Sequence, residues 1–153
     1  MKISLKSGFS ILELLIVLMI AGLLAAGAIY TLSVSRATSR DAKRVSDISV
    51  MRSALSQYWL QKASYPVSQG VELGKAEQNA IGLTTDGLVG PDGGGAVILS
   101  PLPIGPKANE YYFYKATVGG YSLRFSTERE TAYGSAGTYY AHAGGVDQED
   151  VER

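Results

Sequence analysis

The sequence predicts an α+β protein in which one long N-terminal helix packs on a small antiparallel sheet. Residues 9–30 are almost wholly apolar. Residues 31–62 keep apolar residues at helical spacing, but on one face only. Residues 110–127 are rich in aromatic and β-branched residues and turn at two glycines, which is typical of a hairpin. Together these patterns predict a helix with an apolar stem, an amphipathic second half and a sheet that receives it.

The apolar run has the length of a membrane span. At about 1.5 Å per residue it would extend roughly 33 Å as a helix, against about 30 Å for a bilayer core. Glu13 is its only charged residue. An acid in hydrocarbon costs roughly 2.5–3.5 kcal/mol on insertion scales, so it is expected to have a partner or a function. No Lys, Arg or His lies between residues 7 and 35, so the partner must come from elsewhere.

A cut after Gly8 would supply that partner. Phe9 would then carry a free α-amino group four residues before Glu13, on the same helical face. The amine has the right charge for the carboxylate but the wrong charge for the helix dipole, so a carboxylate on a neighbouring helix would neutralise it. This predicts an assembly in which each subunit offers one buried acid and one buried amine.

The segment Gly8-Phe9-Ser10-Ile11-Leu12-Glu13-Leu14-Leu15 resembles the class III signal of type IV pilins and type II secretion pseudopilins. The resemblance implies the pilin fold, cleavage by a prepilin peptidase after Gly8 and N-methylation of Phe9. It also implies that Glu13 pairs with the terminal amine of Phe9 in an adjacent subunit. One feature departs from the family pattern: Ser7 directly precedes the glycine, where the family often has a basic residue.

This resemblance also implies the domain organisation. Residues 1–8 would be the leader, 9–62 the N-terminal helix with a transmembrane and filament-core stem at 9–30, and 63–153 the globular head. Within the head we expect a connector at 67–96 and an antiparallel sheet over about 96–143.

The implied role is structural rather than enzymatic. The precursor would be a single-pass protein of the bacterial inner membrane with its N-terminus inside, an orientation that Lys2 and Lys6 favour. It would contact lipid first and then form a homopolymer in a periplasmic or extracellular filament. The expected partners are the prepilin peptidase, an inner-membrane assembly platform and minor pilins or pseudopilins.

Several assignments remain open at this point. The absence of cysteine favours the major pseudopilin of a type II secretion system, since many type IVa pilins close a C-terminal loop with a disulfide. The alternatives are the major pilin of a surface type IV pilus, for adhesion or motility, and a monomeric membrane-anchored exported binding domain. A secretory signal cut near Ala26-Gly27-Ala28 is the rival targeting signal, although its apolar region would be long and would contain Glu13.

Further candidates lie along the helix. Arg40, Arg44 and Asp47 are interpreted either as a solvated helix face or as charges that form salt bridges between subunits. Gly22 has two interpretations: it allows close packing between helices, or it allows the helix to unwind locally when a subunit leaves the membrane.

Evidence for a cofactor or for catalysis is weak. Asp86 and Asp92 are weak candidates for a Ca²⁺ site, but their spacing does not fit an EF-hand loop and ordinary turn chemistry is the simpler interpretation. No cofactor is otherwise expected. The single histidine, His142, is interpreted as structural. No basic patch interleaved with aromatic residues marks the head, so no nucleic-acid partner is expected.

The head is predicted to contain a short strand at 96–100, hairpin strands at 110–117 and 121–127, and a third strand at 137–143. In the second hairpin strand, Tyr121, Leu123 and Phe125 alternate with polar residues and are expected to face the helix. Tyr112 and Tyr114 are expected on the solvent-exposed face of the hairpin. The acidic segment 146–153 is expected to be mobile.

Overall fold

The structure, a computed structural model, describes residues 10–153. Helix α1 covers Ile11–Lys62 without interruption. Ser10 caps its start, because the Leu12 N–H donates to the Ser10 hydroxyl oxygen at 3.3 Å and the Leu14 N–H donates to the Ser10 carbonyl at 3.1 Å. The helix is continuous through Gly22 in this single chain, and unwinding during assembly stays a prediction.

The chain divides into two compact units, residues 1–36 and residues 37–153. In the first unit, every residue from 10 to 33 is exposed. A helix that is apolar all round and has no cover of its own requires lipid or other helices around it. By length and composition, α1 qualifies as a membrane span.

The second unit contains two antiparallel sheets, whose strand bounds are as follows: β1 Ser68–Glu72, β2 Gly82–Thr84, β3 Gly87–Val89, β4 Val97–Leu99, β5 Phe113–Ala116, β6 Tyr121–Thr127, β7 Gly137–Ala141 and β8 Val146–Asp147. The larger sheet has the order β1-β5-β6-β7-β8, and the smaller has the order β3-β2-β4. A short 3-10 helix, Ala76–Gln78, follows β1.

One hydrophobic core joins α1 to both sheets. The helix contributes Ile48, Met51 and Leu55, each fully buried, and the sheets contribute residues such as Leu83 of β2 and Leu123 of β6. This confirms the predicted α+β class, with one long helix on antiparallel sheets. The amphipathic spacing places the apolar face of α1 on the core because residues three and four apart share one side of a helix.

The positions of two tyrosines correct the sequence-based prediction. Tyr112 and Tyr114, expected on the solvent-exposed face of the hairpin, are 1% and 0% exposed. Tyr114 pairs with Leu123 across the β5–β6 ladder, and directly opposite residues lie on the same side of a sheet. The Tyr114 hydroxyl donates to the Pro66 carbonyl at 3.0 Å, so burial leaves it satisfied.

Two further segments differ from expectation. Residues 67–96, predicted as a connector, contain β1, β2 and β3. The segment 146–153, predicted to be mobile, includes β8 and lies against the sheet through ion pairs from Lys115 to Asp150 and Glu152, both at 3.1 Å. This segment also buries Ser122, whose hydroxyl donates to Asp150 at 2.8 Å. The polar face of β6 is therefore only partly exposed to solvent.

Candidate functional site: the N-terminal signal and the charged helix

The N-terminal site is described from Ser10 onwards. Gly8 and Phe9, the predicted cleavage and methylation positions, lie outside the described residues. Glu13 is exposed in the first turn of α1, where a carboxylate is favoured by the helix dipole. Among residues 10–153, no side chain forms a hydrogen bond or ion pair with the Glu13 carboxylate.

The second charged site lies on the part of α1 that belongs to the second unit. The Arg44 side chain is only 2% exposed and binds three carboxylates. Its Nε and one terminal nitrogen donate to the two oxygens of Glu110 at 2.6 and 2.8 Å, a bidentate pair. The other terminal nitrogen donates to Asp41 at 2.6 Å and to Glu128 at 2.7 Å. These contacts join α1 to the chain just before β5 and just after β6.

Glu128 also binds two other cationic side chains, Arg40 and Lys107. Arg40 donates to both of its oxygens, at 2.8 and 2.7 Å, and the Lys107 ammonium lies 3.0 Å away. Hydrogen bonds from Arg40, followed by those from Arg44 and Lys107, hold the pKa of Glu128 well below its usual range. The Arg44 guanidinium likewise lowers the pKa of Glu110, and the pair with Glu110 raises the pKa of Arg44. We refer to Arg40, Asp41, Arg44, Lys107, Glu110 and Glu128 as the Arg44 network.

Asp41 has a second role in the Arg44 network. Its carboxylate accepts the backbone N–H of Glu128 at 3.0 Å and that of Arg129 at 2.8 Å. The buried acid therefore satisfies the backbone at the end of β6 as well as the Arg44 guanidinium. Three cations face three carboxylates, which is the condition under which buried charges are tolerated.

Asp47 belongs to a neighbouring set of contacts. Its carboxylate accepts the Tyr112 hydroxyl at 2.8 Å and pairs with Lys43 one turn earlier on α1. The Lys43 ammonium also donates to the Ile104 carbonyl at 2.8 Å.

The structure thus gives Arg40, Arg44 and Asp47 partners within their own chain. Their predicted role between subunits stays a prediction. Sequence reasoning missed Asp41, Glu110 and Glu128. One signal was available, because the helical spacing that leads back from Leu55, Met51 and Ile48 reaches Arg44 and then Asp41. Charged residues on the buried face of a helix indicate partners on the element that covers them.

The calcium candidates do not come together with other ligands. Asp86 and Asp92 are both exposed, and the Asp86 N–H donates to the Thr84 hydroxyl at 3.2 Å in a turn. Within residues 10–153, no three His, Cys, Asp or Glu side chains gather as a metal site would require.

Comparison with known proteins adds one finding. Residues 3–29 match the family model described as the prokaryotic N-terminal methylation motif. The match covers the predicted cleavage position, the methylation position and Glu13, together with most of the apolar run. No curated protein and no solved structure matches the chain.

Proposed function

We propose that this chain belongs to the type IV pilin and pseudopilin superfamily and is a structural subunit of a type IV pilus-like filament. Its residues 3–29 match the prokaryotic N-terminal methylation motif. The observation that carries this proposal is the single acid of the apolar stem, Glu13, inside that motif. Members of this family are structural subunits, and the proposed role is assembly rather than catalysis.

In this proposal, assembly depends on two charged groups of the stem, the Glu13 carboxylate and the α-amine of Phe9. Cleavage after Gly8 creates an amine on Phe9, which the same peptidase then methylates. In the filament core the Glu13 carboxylate of one subunit neutralises the Phe9 amine of the next. Each group alone is costly in an apolar environment, so the pairing favours subunits in register over isolated stems.

Membrane insertion precedes assembly in this proposal. The exposed apolar residues 10–33 are held by lipid in the precursor and by neighbouring stems in the filament. The precursor stands in the bacterial inner membrane with its N-terminus inside, and the filament grows into the periplasm or beyond. Prepilin peptidase, an assembly platform and minor subunits of the same family are the proposed partners.

Within the superfamily we propose the major pseudopilin of a type II secretion system. The cysteine-free sequence supports this version, because many type IVa pilins close a C-terminal loop with a disulfide and this chain cannot form one. Deletion of the gene is expected to abolish export of secreted proteins and leave surface pili intact. Loss of surface pili with normal export would instead favour a pilin.

The general proposal is tested by processing. The full chain is expressed with and without a prepilin peptidase, and the purified product is analysed by intact-mass and N-terminal peptide mass spectrometry. We expect loss of residues 1–8 and one added methyl group on Phe9, only when the peptidase is present. A mature chain that begins at Ile29, or one that keeps its leader in the presence of the peptidase, would contradict the proposal.

A further inference from the structure

The single histidine of the chain occupies an unusual position at the edge of the larger sheet. His142 directly follows β7 and is 1% exposed. Its ring lies between β6 and the chain from Val146 to Arg153, which we call the C-terminal segment. The proposed filament role makes no use of this residue.

The hydrogen-bond partners of the ring indicate its protonation state. Nδ1 lies 3.0 Å from the Tyr121 carbonyl, which only accepts, so Nδ1 carries a proton. Nε2 lies 3.1 Å from the Glu149 carbonyl and 3.3 Å from the Asp147 carboxylate. Both of these groups are acceptors too. A neutral imidazole has one N–H and cannot satisfy both sides, whereas the doubly protonated ring satisfies all three oxygens.

The Asp147 carboxylate is ionised in this arrangement. It accepts the Glu149 N–H at 2.8 Å and pairs with the Arg153 guanidinium. These two contacts, with a smaller contribution from His142, lower the pKa of Asp147 to about 2. Asp147 therefore remains an acceptor throughout the pH range in which histidine side chains ordinarily exchange their proton.

We propose that His142 is a proton-operated clasp, which in its doubly protonated form holds the C-terminal segment on the sheet and on losing a ring proton releases it. Release uncovers one edge of β7, because β8 pairs with β7 there at Tyr140↔Asp147 and Ala141↔Val146. An uncovered strand edge presents free N–H and C=O groups that pair readily with another chain.

The other charged groups around the ring are nearly balanced. On the C-terminal segment, Asp147 and Glu149 face Arg153. From α1, Arg52 donates to the Ala143 carbonyl at 3.4 Å, and from β5, Lys115 binds the Asp150 and Glu152 carboxylates. Of the side-chain types gathered here, histidine alone ordinarily changes its charge between about pH 5 and 8. The expected sign is therefore a closed segment at low pH and an open segment at high pH.

Nuclear magnetic resonance of the full chain in detergent micelles tests the clasp. Ring proton–nitrogen correlation spectra report the protonation state of His142 without overlap, since the chain has one histidine. Amide exchange reports the C-terminal segment through residues such as Ala143, whose N–H donates to the Arg153 carbonyl at 3.3 Å. We expect both ring nitrogens to be protonated at about pH 5, and the Ala143 protection factor to fall at least about tenfold by about pH 8.5.

Variants separate the clasp from general loosening. His142→Gln is expected to abolish the pH dependence of protection in the C-terminal segment. If that variant does not fold, Asp147→Asn weakens the acceptor on Nε2 and is expected to lower protection at pH 5 and to reduce the pH step. Glu130→Gln, at an exposed position, is the matched control and should keep the full step. A neutral ring at pH 5, or equal protection at both pH values while the ring titrates, would overturn the proposal.

Discussion

Arg44 couples three parts of the head through one side chain. Its guanidinium binds Asp41 on its own helix, Glu110 before β5 and Glu128 after β6. The Arg44 side chain is 2% exposed, and its partners Glu110 and Glu128 are 20% and 26% exposed. These contacts are partly shielded from water and are therefore stronger than those of a surface pair. Removing the cation would leave three carboxylates together with only Arg40 and Lys107 beside them.

Arg44→Met is therefore expected to lower the free energy of unfolding by about 3–5 kcal/mol, the range for breaking a buried ion pair from one side. Urea unfolding of the full chain in detergent micelles, followed by tryptophan fluorescence, measures the change. Arg129→Met is the matched control, because the Arg129 side chain is exposed, and it is expected to stay within about 0.5 kcal/mol of the parent. Equal stability of the two variants would show that the Arg44 network contributes little.

The same residue shows what sequence reasoning can and cannot supply. Glu13 stands out in the sequence because nothing near it in the chain carries a charge. Helical spacing places Arg44 on the buried face, but two of its three partners, Glu110 and Glu128, lie 66 and 84 positions away. A pairing of that range depends on how the strands return to the helix, and helical periodicity carries no information about it.

Among the structural elements, α1 is joined by charge, about five turns before its end, to the chain just before β5 and just after β6. This junction therefore has a defined pH dependence. Glu110 and Glu128 have pKa values below their ordinary 4.5. A carboxylate whose pKa is depressed by folding contributes stability above its unfolded pKa, and that contribution is lost as the pH falls towards the folded pKa. The urea midpoint is therefore expected to fall as the pH decreases below about 4.5.

The Arg44→Met variant tests the origin of this pH dependence. With the guanidinium gone, the pKa values of Glu110 and Glu128 move back towards those of the unfolded chain, so the acid-induced loss should be smaller in the variant than in the parent. Urea midpoints at pH 7 and pH 3 give the comparison. Parallel losses in both proteins would assign the acid sensitivity to other carboxylates.

The β5–β6 turn offers a matched pair of glycines. A Cβ added at Gly120 would lie 2.6 Å from backbone atoms of Glu152 and Arg153, whereas one added at Gly119 would meet nothing within 4 Å. Gly120→Ala is expected to displace the C-terminal segment and raise amide exchange at Ala143, and Gly119→Ala should leave that exchange unchanged. Similar exchange in the two variants would show that the segment does not depend on its contact with Gly120.

The strands differ in how clearly the sequence predicts them. Strand β6 is predictable because Tyr121, Leu123 and Phe125 alternate with polar neighbours over a full strand length. Strands β1 and β8 are short or polar, and each pairs with a single neighbour at one end of the larger sheet. Such strands depend on tertiary pairing more than on local preference.

For the whole molecule, the division into residues 1–36 and 37–153 indicates that the second unit folds without the first. The hydrophobic core and the Arg44 network both lie entirely within the second unit. A protein containing only residues 37–153 is therefore expected to be soluble and to unfold cooperatively in urea. Circular dichroism and sedimentation velocity provide the measurements. An unfolded or aggregated product would show that the stem contributes to folding of the head.

In the proposed filament the stems assemble through a single acid, Glu13. Electron microscopy of filaments made by Glu13→Leu in cells with the complete assembly machinery tests this role. The variant is expected to be inserted, cleaved and methylated, yet to form no normal filaments. Thr31→Ala is the matched control: its hydroxyl bonds only its own helix, at 2.8 Å from the Gly27 carbonyl, and it should assemble normally. Filaments of normal number and length from Glu13→Leu would show that assembly does not depend on this acid.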